Sequence, residues 1–376
     1  MVTDTAMARK GDQIYAFGPV VRELDVFQSL FGQIVWIGFD RPDMADDPVM
    51  LPVPEALRCI LLPRSGGDSA AAKLGVLLRA PQMLQPILRE VARADVIHTR
   101  APSSPAFLAL LSSFFFKKNK IWWHKYAGNW GQKNLPRFFG IQRYWLRKAR
   151  HCRVTINGRW PDQPAHCLSF ENPCLSGEER ERGMGVIRSK SYEERLDLCF
   201  VGRLDATKGI PELIAAFDRL GDPTRIARLH VVGDGPLRAV LTSAARSWPF
   251  ETRIYGSQSR SEVGRIMSEC HLQLLPSRAE GFPKVIAEGA NYGCVPVVSD
   301  ISGIAQYVQD GVNSFLMRPE RLDAGLLHED LAYILAQANL REMALSAWEM
   351  AEAFTFVRYG ERIRREILSH ADPLVS

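Results

Sequence analysis

The stretch Ser277-Arg-Ala-Glu-Gly-Phe-Pro-Lys-Val-Ile-Ala-Glu-Gly289 carries two glutamates, Glu280 and Glu288, eight positions apart across a Gly-Phe-Pro and an apolar run. Before it, Cys270-His-Leu-Gln-Leu-Leu-Pro276 reads as a short buried strand, and after it Gly293-Cys-Val-Pro-Val-Val-Ser299 reads as another. The stretch is therefore the turn and helix of a β-α-β unit, with Pro283 suited to the first helical position. Glu280 then falls in the loop at the C-terminal end of a strand, and Glu288 falls on the helix. In open α/β sheets that edge is where ligands bind.

Working outward, the alternation continues. Leu198-Cys-Phe-Val201, Leu229-His-Val-Val232, Thr252-Arg-Ile-Tyr255, Leu272-Gln-Leu-Leu275 and Val295-Pro-Val-Val298 read as strands with helices between them. Upstream, Ile14-Tyr-Ala-Phe17, a helix from about residue 20 to 30, Gln33-Ile-Val-Trp-Ile37, Asp95-Val-Ile-His98, an apolar helix over 105–116 and Lys120-Ile-Trp-Trp-His124 repeat the rhythm. This is the pattern of α/β, doubly wound parallel sheets. Residues 171–195 interrupt it with charge, Gly and Ser and no clear apolar face, a linker composition. The expected organisation is a first Rossmann-like domain over 1–172, a linker over 173–195 and a second domain over 196–354. A last helical pattern runs from Leu340 to Leu368.

The chain has 376 residues, enough for two cores. Hydrophobic residues at 46% and charged residues at 24% fit a globular protein rather than a disordered one. Seven cysteines form no C-x-x-C pair and no metal-ligand spacing, so reduced core thiols in a cytoplasmic protein are expected. The first ten residues have no apolar core of the kind a signal peptide needs. The apolar run Ala106–Phe116 falls far short of the ~20 residues that cross a bilayer.

The net charge of +5 hides an asymmetry. From Val96 to Pro161 there are thirteen Lys or Arg and no Asp or Glu, interleaved with Trp, Tyr and Phe. The segment 114–160 reads either as a surface for an anionic membrane or as core aromatics under a solvated basic face. Nucleic acid would also welcome the charge, but no RRM, KH or helix-turn-helix signature accompanies it, so no nucleic-acid partner is expected.

The second half carries the chemistry. In Phe200-Val-Gly-Arg-Leu-Asp-Ala-Thr-Lys-Gly209 a strand runs through a loop into a helix, and Arg203 and Lys208 are spaced to close on one small anion. A planar guanidinium and a compact ammonium beside free helix N–H groups favour phosphate, and Gly202 and Gly209 allow close backbone approach. Val232-Gly-Asp-Gly-Pro-Leu-Arg238 lacks the third glycine of a dinucleotide fingerprint, so Gly233 and Gly235 read as a tight turn lining the site, with Pro236 starting a helix. Between Glu280 and Glu288, the N–H groups of Gly281 and Phe282 can hold an anion. Hydroxyl acceptor, phosphate cradle, hydroxyl acceptor is the order that suits a sugar, a diphosphate and a ribose.

Taken in order, Gly202–Gly209, Val232–Pro236, Pro276–Pro283, the Glu-x7-Glu spacing and Gly293–Val298 resemble the C-terminal domain of family 4 retaining glycosyltransferases (glycosyl transferases group 1), over roughly residues 196–320. The resemblance implies the GT-B fold, two Rossmann-like domains facing across a cleft, with the C-terminal helix, about 355–376, packing back on the acceptor-binding first domain. It implies that Arg203 and Lys208 grip the diphosphate, Glu288 the ribose and Glu280 the transferred sugar, with the loop around Gly256-Ser-Gln258 near the base. The donor is then a UDP- or GDP-linked sugar. Pro283 and Gly233 line its site, and Gly18 of Phe17-Gly-Pro19 is what remains of a glycine-rich first loop. The resemblance also implies hexosyl transfer with retention, a donor phosphate oxygen taking the acceptor's proton.

No metal is then obligatory, because the cations and the helix start meet the leaving group's charge. Asp43-Met-Ala-Asp-Asp47 reads as a solvated loop. In the first half, His124 is a candidate for the sugar contact, with Tyr126 and His98 as alternatives on the acceptor side. The expected protein is cytoplasmic, placed at the inner face of a membrane, and builds a polysaccharide or glycolipid on a carbohydrate or lipid-linked acceptor. A sugar-nucleotide epimerase and an inactive donor-binding scaffold subunit are the alternatives.

Overall fold

In the computed structural model residues 1–64, 70–116, 119–132 and 135–369 are described, residues 70–78 by their backbone alone, and the chain divides into two units. The first comprises Met1–Glu171 together with the segment that begins at Phe356; the second is Asn172–Thr355.

The first unit opens with β1 (Val2–Lys10), which turns at Gly11 into antiparallel β2 (Gln13–Phe17). There follow α1 (Gly18–Gln28), β3 (Val35–Asp40), β4 (Met50–Pro52), β5 (Arg58–Leu62), α2 (Ala70–Arg93), β6 (Val96–Ala101), α3 (Ser104–Ser112), β7 (Ile121–Tyr126), α4 (Arg137–Lys148), β8 (Arg153–Ile156) and β9 (Cys167–Ser169). Strands β5-β3-β1-β6-β7-β8-β9 pair in parallel, and β2 and β4 extend the sheet with antiparallel pairs. Because successive strand residues face opposite ways, Trp122 joins a core with Ile97 and Leu146, while Trp123 joins one with Phe27 and Tyr359. Much of the aromatic content of the basic segment is thus interior.

The second unit holds α5 (Gly177–Ser189), β10 (Leu196–Val201), α6 (Ile210–Arg219), β11 (Ile226–Val232), α7 (Arg238–Ala244), β12 (Glu251–Gly256), α8 (Arg260–Glu269), β13 (Leu272–Leu275), α9 (Lys284–Asn291), β14 (Val295–Ser299), β15 (Phe315–Met317), α10 (Pro319–Asp323), α11 (Leu327–Leu335) and α12 (Leu340–Ala351). Its six strands are all parallel in the order β12-β11-β10-β13-β14-β15. The chain therefore works outward one way from β10, returns, and works outward the other way from β13. Between these two strands lies the switch point of a doubly wound sheet, where the loops at the C-terminal edge diverge and leave a crevice. After α12 the chain makes a turn at Glu352–Phe354, and α13 (Phe356–Arg362) joins the first unit, where Tyr359 packs on Phe27 and Phe170.

Several details differ from the sequence expectation. Residues 173–195, expected as a linker, contain α5, fixed by a capping box between Ser176 and Glu179 and burying Arg180, Gly183 and Ile187. The helical pattern from Leu340 to Leu368 is broken at Thr355. The part of the expected C-terminal helix from residue 370 onward lies outside the described residues, as do Lys117 and Lys118 of the basic segment. Helix α9 begins at Lys284, with Pro283 just before it in an extended conformation, and α7 begins at Arg238 rather than Pro236. All seven cysteines are free thiols, six of them buried. No helix among the described residues is long and apolar enough to cross a membrane.

Candidate active site

The two loops at the switch point carry the motifs. Strand β10 ends at Val201, and Gly202–Gly209 follows it; β13 ends at Leu275, and Pro276–Pro283 follows it. They interlock through backbone: the Arg278 N–H donates to the Thr207 carbonyl at 2.8 Å. Gly209 has φ +79°, and a Cβ there would lie 2.0 Å from the Pro276 carbonyl oxygen. Gly233, with φ +133°, is held in the same way, 1.9 Å separating its would-be Cβ from the Gly202 carbonyl. Its N–H donates to Gly256 at 2.9 Å, and the Gly202 N–H donates to Val232 at 3.0 Å, so these three glycines join the ends of β10, β11 and β12.

On this frame the Lys208 ammonium donates to the Glu280 carboxylate, which also accepts from the buried Ser277 hydroxyl at 2.9 Å. Asp205 shapes the first loop by accepting from the N–H groups of Thr207 at 2.9 Å and Lys208 at 3.1 Å. Burial opposes its charge, but the Thr207 hydroxyl, these amides and nearby Arg203 hold its pKa below the ordinary carboxylate value. Arg203 lies 3.1 Å from Asp205 with 70% of its side chain exposed, a tethered cation open to a ligand. Helix α9 starts without a side-chain cap and without an acid in its first turn, so its N–H groups and dipole add to the positive side of the crevice. The Phe282 ring is buried, stacked on Phe354 at 4.4 Å; it anchors the loop and leaves only the backbone of Gly281 and Phe282 for ligand contact.

Glu288 sits one turn into α9 and is held by Arg260, a residue the sequence reading did not single out. Arg260 also donates to Glu179 of α5 at 3.0 Å and to the Cys174 carbonyl at 2.6 Å. Burial works against this guanidinium, but Glu288 and Glu179 outweigh it and raise its pKa above the usual arginine value. Its signal in the sequence was a cation in the first turn of a helix, where the dipole disfavours it unless acids surround it. Gly256 is buried and Ser257 is exposed, just ahead of Arg260 in the same β12–α8 connection.

The first-unit candidates fare differently. His124 is interior to β7 rather than at its end: it is fully buried, its Nδ1 2.7 Å from the Thr99 hydroxyl, and burial lowers its pKa to about 3. His98 is buried against Trp123, with ring centroids 3.8 Å apart, and its pKa is well below the ordinary value for the same reason. Tyr126 is buried beside Trp130, and burial raises its pKa. Within this unit all three side chains are core, which corrects the expectation that His124 stands at a strand end ready for a sugar. Gly18 opens α1 with its N–H already given to Val49 at 2.9 Å, and a Cβ would lie 2.7 Å from that carbonyl. Its amide is spent on the fold.

Two Rossmann-like units, one with the 3-2-1-4-5-6 strand order of a nucleotide-binding sheet and a cationic switch point, define a GT-B fold. Residues 187–347 match the family described as glycosyl transferases group 1, a wider span than the motifs alone marked. The chain is 28% identical over 137 residues to the phosphatidylinositol N-acetylglucosaminyltransferase gpi3 subunit of Schizosaccharomyces pombe, covering 36% of this chain and 30% of that protein. It is 29% identical over 179 residues to glycogen synthase of Thermus thermophilus, covering 45% and 40%. The chain thus spans well under half the length of these relatives. Across 98% of both chains the fold superposes on Anabaena Alr3699/HepE, solved with UDP and glucose, at a TM-score of 0.68 and 15% identity.

Proposed function

We propose that this protein is a retaining glycosyltransferase of family 4 type, moving a sugar from a UDP- or GDP-linked donor to a carbohydrate or lipid-linked acceptor in polysaccharide or glycolipid synthesis. The observation that carries the reading is the Lys208–Glu280–Ser277 cluster at the switch point, with Arg203 beside it and Glu288 on the adjoining helix. The group 1 match over the same residues supports it, and so does the presence of UDP and glucose in the HepE structure.

Bound there, the diphosphate lies against Arg203, Lys208 and the start of α9, while Glu280 accepts from hydroxyls of the transferred sugar and Glu288 from the ribose. As the glycosyl–phosphate bond breaks, negative charge grows on the diphosphate, and fixed cations stabilise it without an obligatory metal. The acceptor oxygen attacks the same face, and its proton passes to the departing phosphate oxygen.

A thermal-shift screen across nucleotide sugars tests the donor, because a tight ligand raises apparent stability by mass action. Nucleoside diphosphate released only when an acceptor is present supports transfer. Interconversion of the sugar without acceptor favours an epimerase, and no shift with any UDP- or GDP-sugar overturns the reading.

A further inference from the structure

We infer that the outward face of α4, together with the end of α3, is a docking surface for an anionic lipid bilayer. This extends the lipid-linked reading above, but it stands on observations from the first unit alone. A surface helix ordinarily turns apolar residues inward and polar ones outward. Helix α4 departs from that. Its fully buried side chains include Gln142, whose Oε1 accepts the Ser103 N–H at 3.0 Å. Its exposed stripe is Arg137, Phe138, Ile141, Tyr144 and Lys148, with Phe138 39%, Ile141 48% and Tyr144 56% exposed. The apolar residues of this outward face are thus bracketed by cations at either end of the helix.

The neighbouring chain enlarges the patch. Phe115, just beyond α3, is 85% exposed, and Phe116 is partly so. They follow Phe114, whose ring packs edge-on to Trp145 of α4 at 5.4 Å, so the aromatic end of α3 adjoins the helix. Phe138 is backed by Phe107 of α3 at 5.6 Å, which fixes its ring at the surface. The Lys148 ammonium lies 5.7 Å from the centre of the Tyr144 ring. Arg150 is exposed next to the helix, and no acidic residue occurs between Val96 and Pro161 to offset these cations.

Charge selects a polyanion; the apolar residues select among polyanions. Nucleic acid offers phosphates and base faces, to which Ile141 is of little use. An anionic bilayer offers phosphates at the depth where aromatic rings settle and hydrocarbon just beneath for Ile141 and Phe115. A helix of twelve residues is about 18 Å long, too short to span a bilayer but suited to lying in its interface.

The test is co-sedimentation of the full chain with vesicles of phosphatidylcholine alone and of phosphatidylcholine with phosphatidylglycerol. Binding is expected only to the anionic vesicles, weakening as salt rises. Ile141→Ser with Tyr144→Ser should lower partitioning about tenfold or more. Arg137→Ala with Lys148→Ala should lower it about fivefold per cation removed. Arg246→Ala, an exposed cation of the second unit, should leave it unchanged. No binding by the unaltered chain, binding by both face variants as strong as that of the unaltered chain, or loss of vesicle binding to a competing oligonucleotide while the serine variant still binds normally would overturn the inference. No donor or acceptor is present in this assay, so its failure leaves the transfer reading standing, and a failed donor screen leaves the surface standing.

Discussion

The Lys208 ammonium and the Glu280 carboxylate, 72 positions apart in sequence, are bonded to each other across the two switch-point loops. Only 8% of the Glu280 side chain and 26% of the Lys208 side chain meet solvent. The pair fixes both side chains in the crevice; in the function proposed above, the cation meets a diphosphate and the anion meets hydroxyls.

Replacing either residue should therefore separate activity from stability. Lys208→Ala and Glu280→Ala are each expected to lower kcat by about 10²–10³, the scale seen when one fixed transition-state donor is removed. The pair is largely shielded from water, so breaking it should cost roughly 1–3 kcal/mol, between the exposed and fully buried ranges, and melting temperatures should fall by several degrees while the protein stays folded at assay temperature. Because the two touch, the double variant should lose less than the product of the single losses. Turnover in both single variants close to that of the unaltered chain would dissolve the site assignment.

Arg260 serves three acceptors at once, Glu288, Glu179 and the Cys174 carbonyl. Removing it takes away the cation that Glu288 and Glu179 share. Arg260→Ala should cost roughly 1–3 kcal/mol, below the range for a fully buried pair, because 34% of its side chain stays in water. It should also weaken donor binding more than it slows turnover, since Glu288 loses its orientation. Arg260→Lys should not restore binding, as a single ammonium cannot reproduce the planar fork. Urea titrations and donor-binding isotherms measure the two effects separately.

What the sequence made legible follows from how each feature is encoded. The second unit was readable because its loops are written in residues with narrow uses, such as Gly209 and Gly233, each at a positive φ against a neighbouring carbonyl. Strand β13 was bounded to the residue, a run of four buried apolar or amide side chains between turn signals. The Arg260–Glu288 pair was not readable, because pairing depends on how α8 and α9 pack and not on any local pattern. In the first unit, β1 hid in Val-Thr-Asp-Thr-Ala-Met-Ala-Arg-Lys, whose small and charged residues carry little strand propensity. Helix α5 hid because it buries an arginine and a glycine beside one isoleucine; its readable sign was the Ser176/Glu179 box. His124 was misplaced by two residues along β7, enough to turn a strand-end histidine into a core one.

Gly209 and Gly233 leave no room for a side chain where the switch-point loops meet. Gly233→Ala forces a methyl group to within 1.9 Å of the Gly202 carbonyl, and Gly209→Ala to within 2.0 Å of that of Pro276. Backbone cannot yield as a flexible side chain does, and the positive φ adds strain. Each variant should lose about 1–3 kcal/mol and should lose donor binding as well, because the displaced loops carry Lys208 and Glu280. Gly185→Ala on α5, where a Cβ meets nothing within 4 Å, should be neutral or slightly stabilising. Denaturation midpoints compared across the three decide the matter.

The buried imidazoles of the first unit contribute to its response to acid. In the unfolded chain His124 takes a proton near pH 6.5, whereas in the fold burial holds its pKa at about 3. Between those values the unfolded state binds the proton that the folded state refuses, so stability falls as pH falls, by about 1.4 kcal/mol per pH unit. Above pH 6.5 neither state is protonated and the dependence vanishes. His98, lowered well below its ordinary value by burial and by nearby Arg100 and Lys125, adds a slope of the same sign. Six of the eight tryptophans lie in the first unit, so intrinsic fluorescence follows its unfolding. Urea midpoints should decline between pH 6.5 and pH 4.5, and His124→Gln should remove one proton's worth of that slope. An unchanged slope in the variant would mean that His124 takes up its proton in the folded unit, against the fully buried position that β7 gives it.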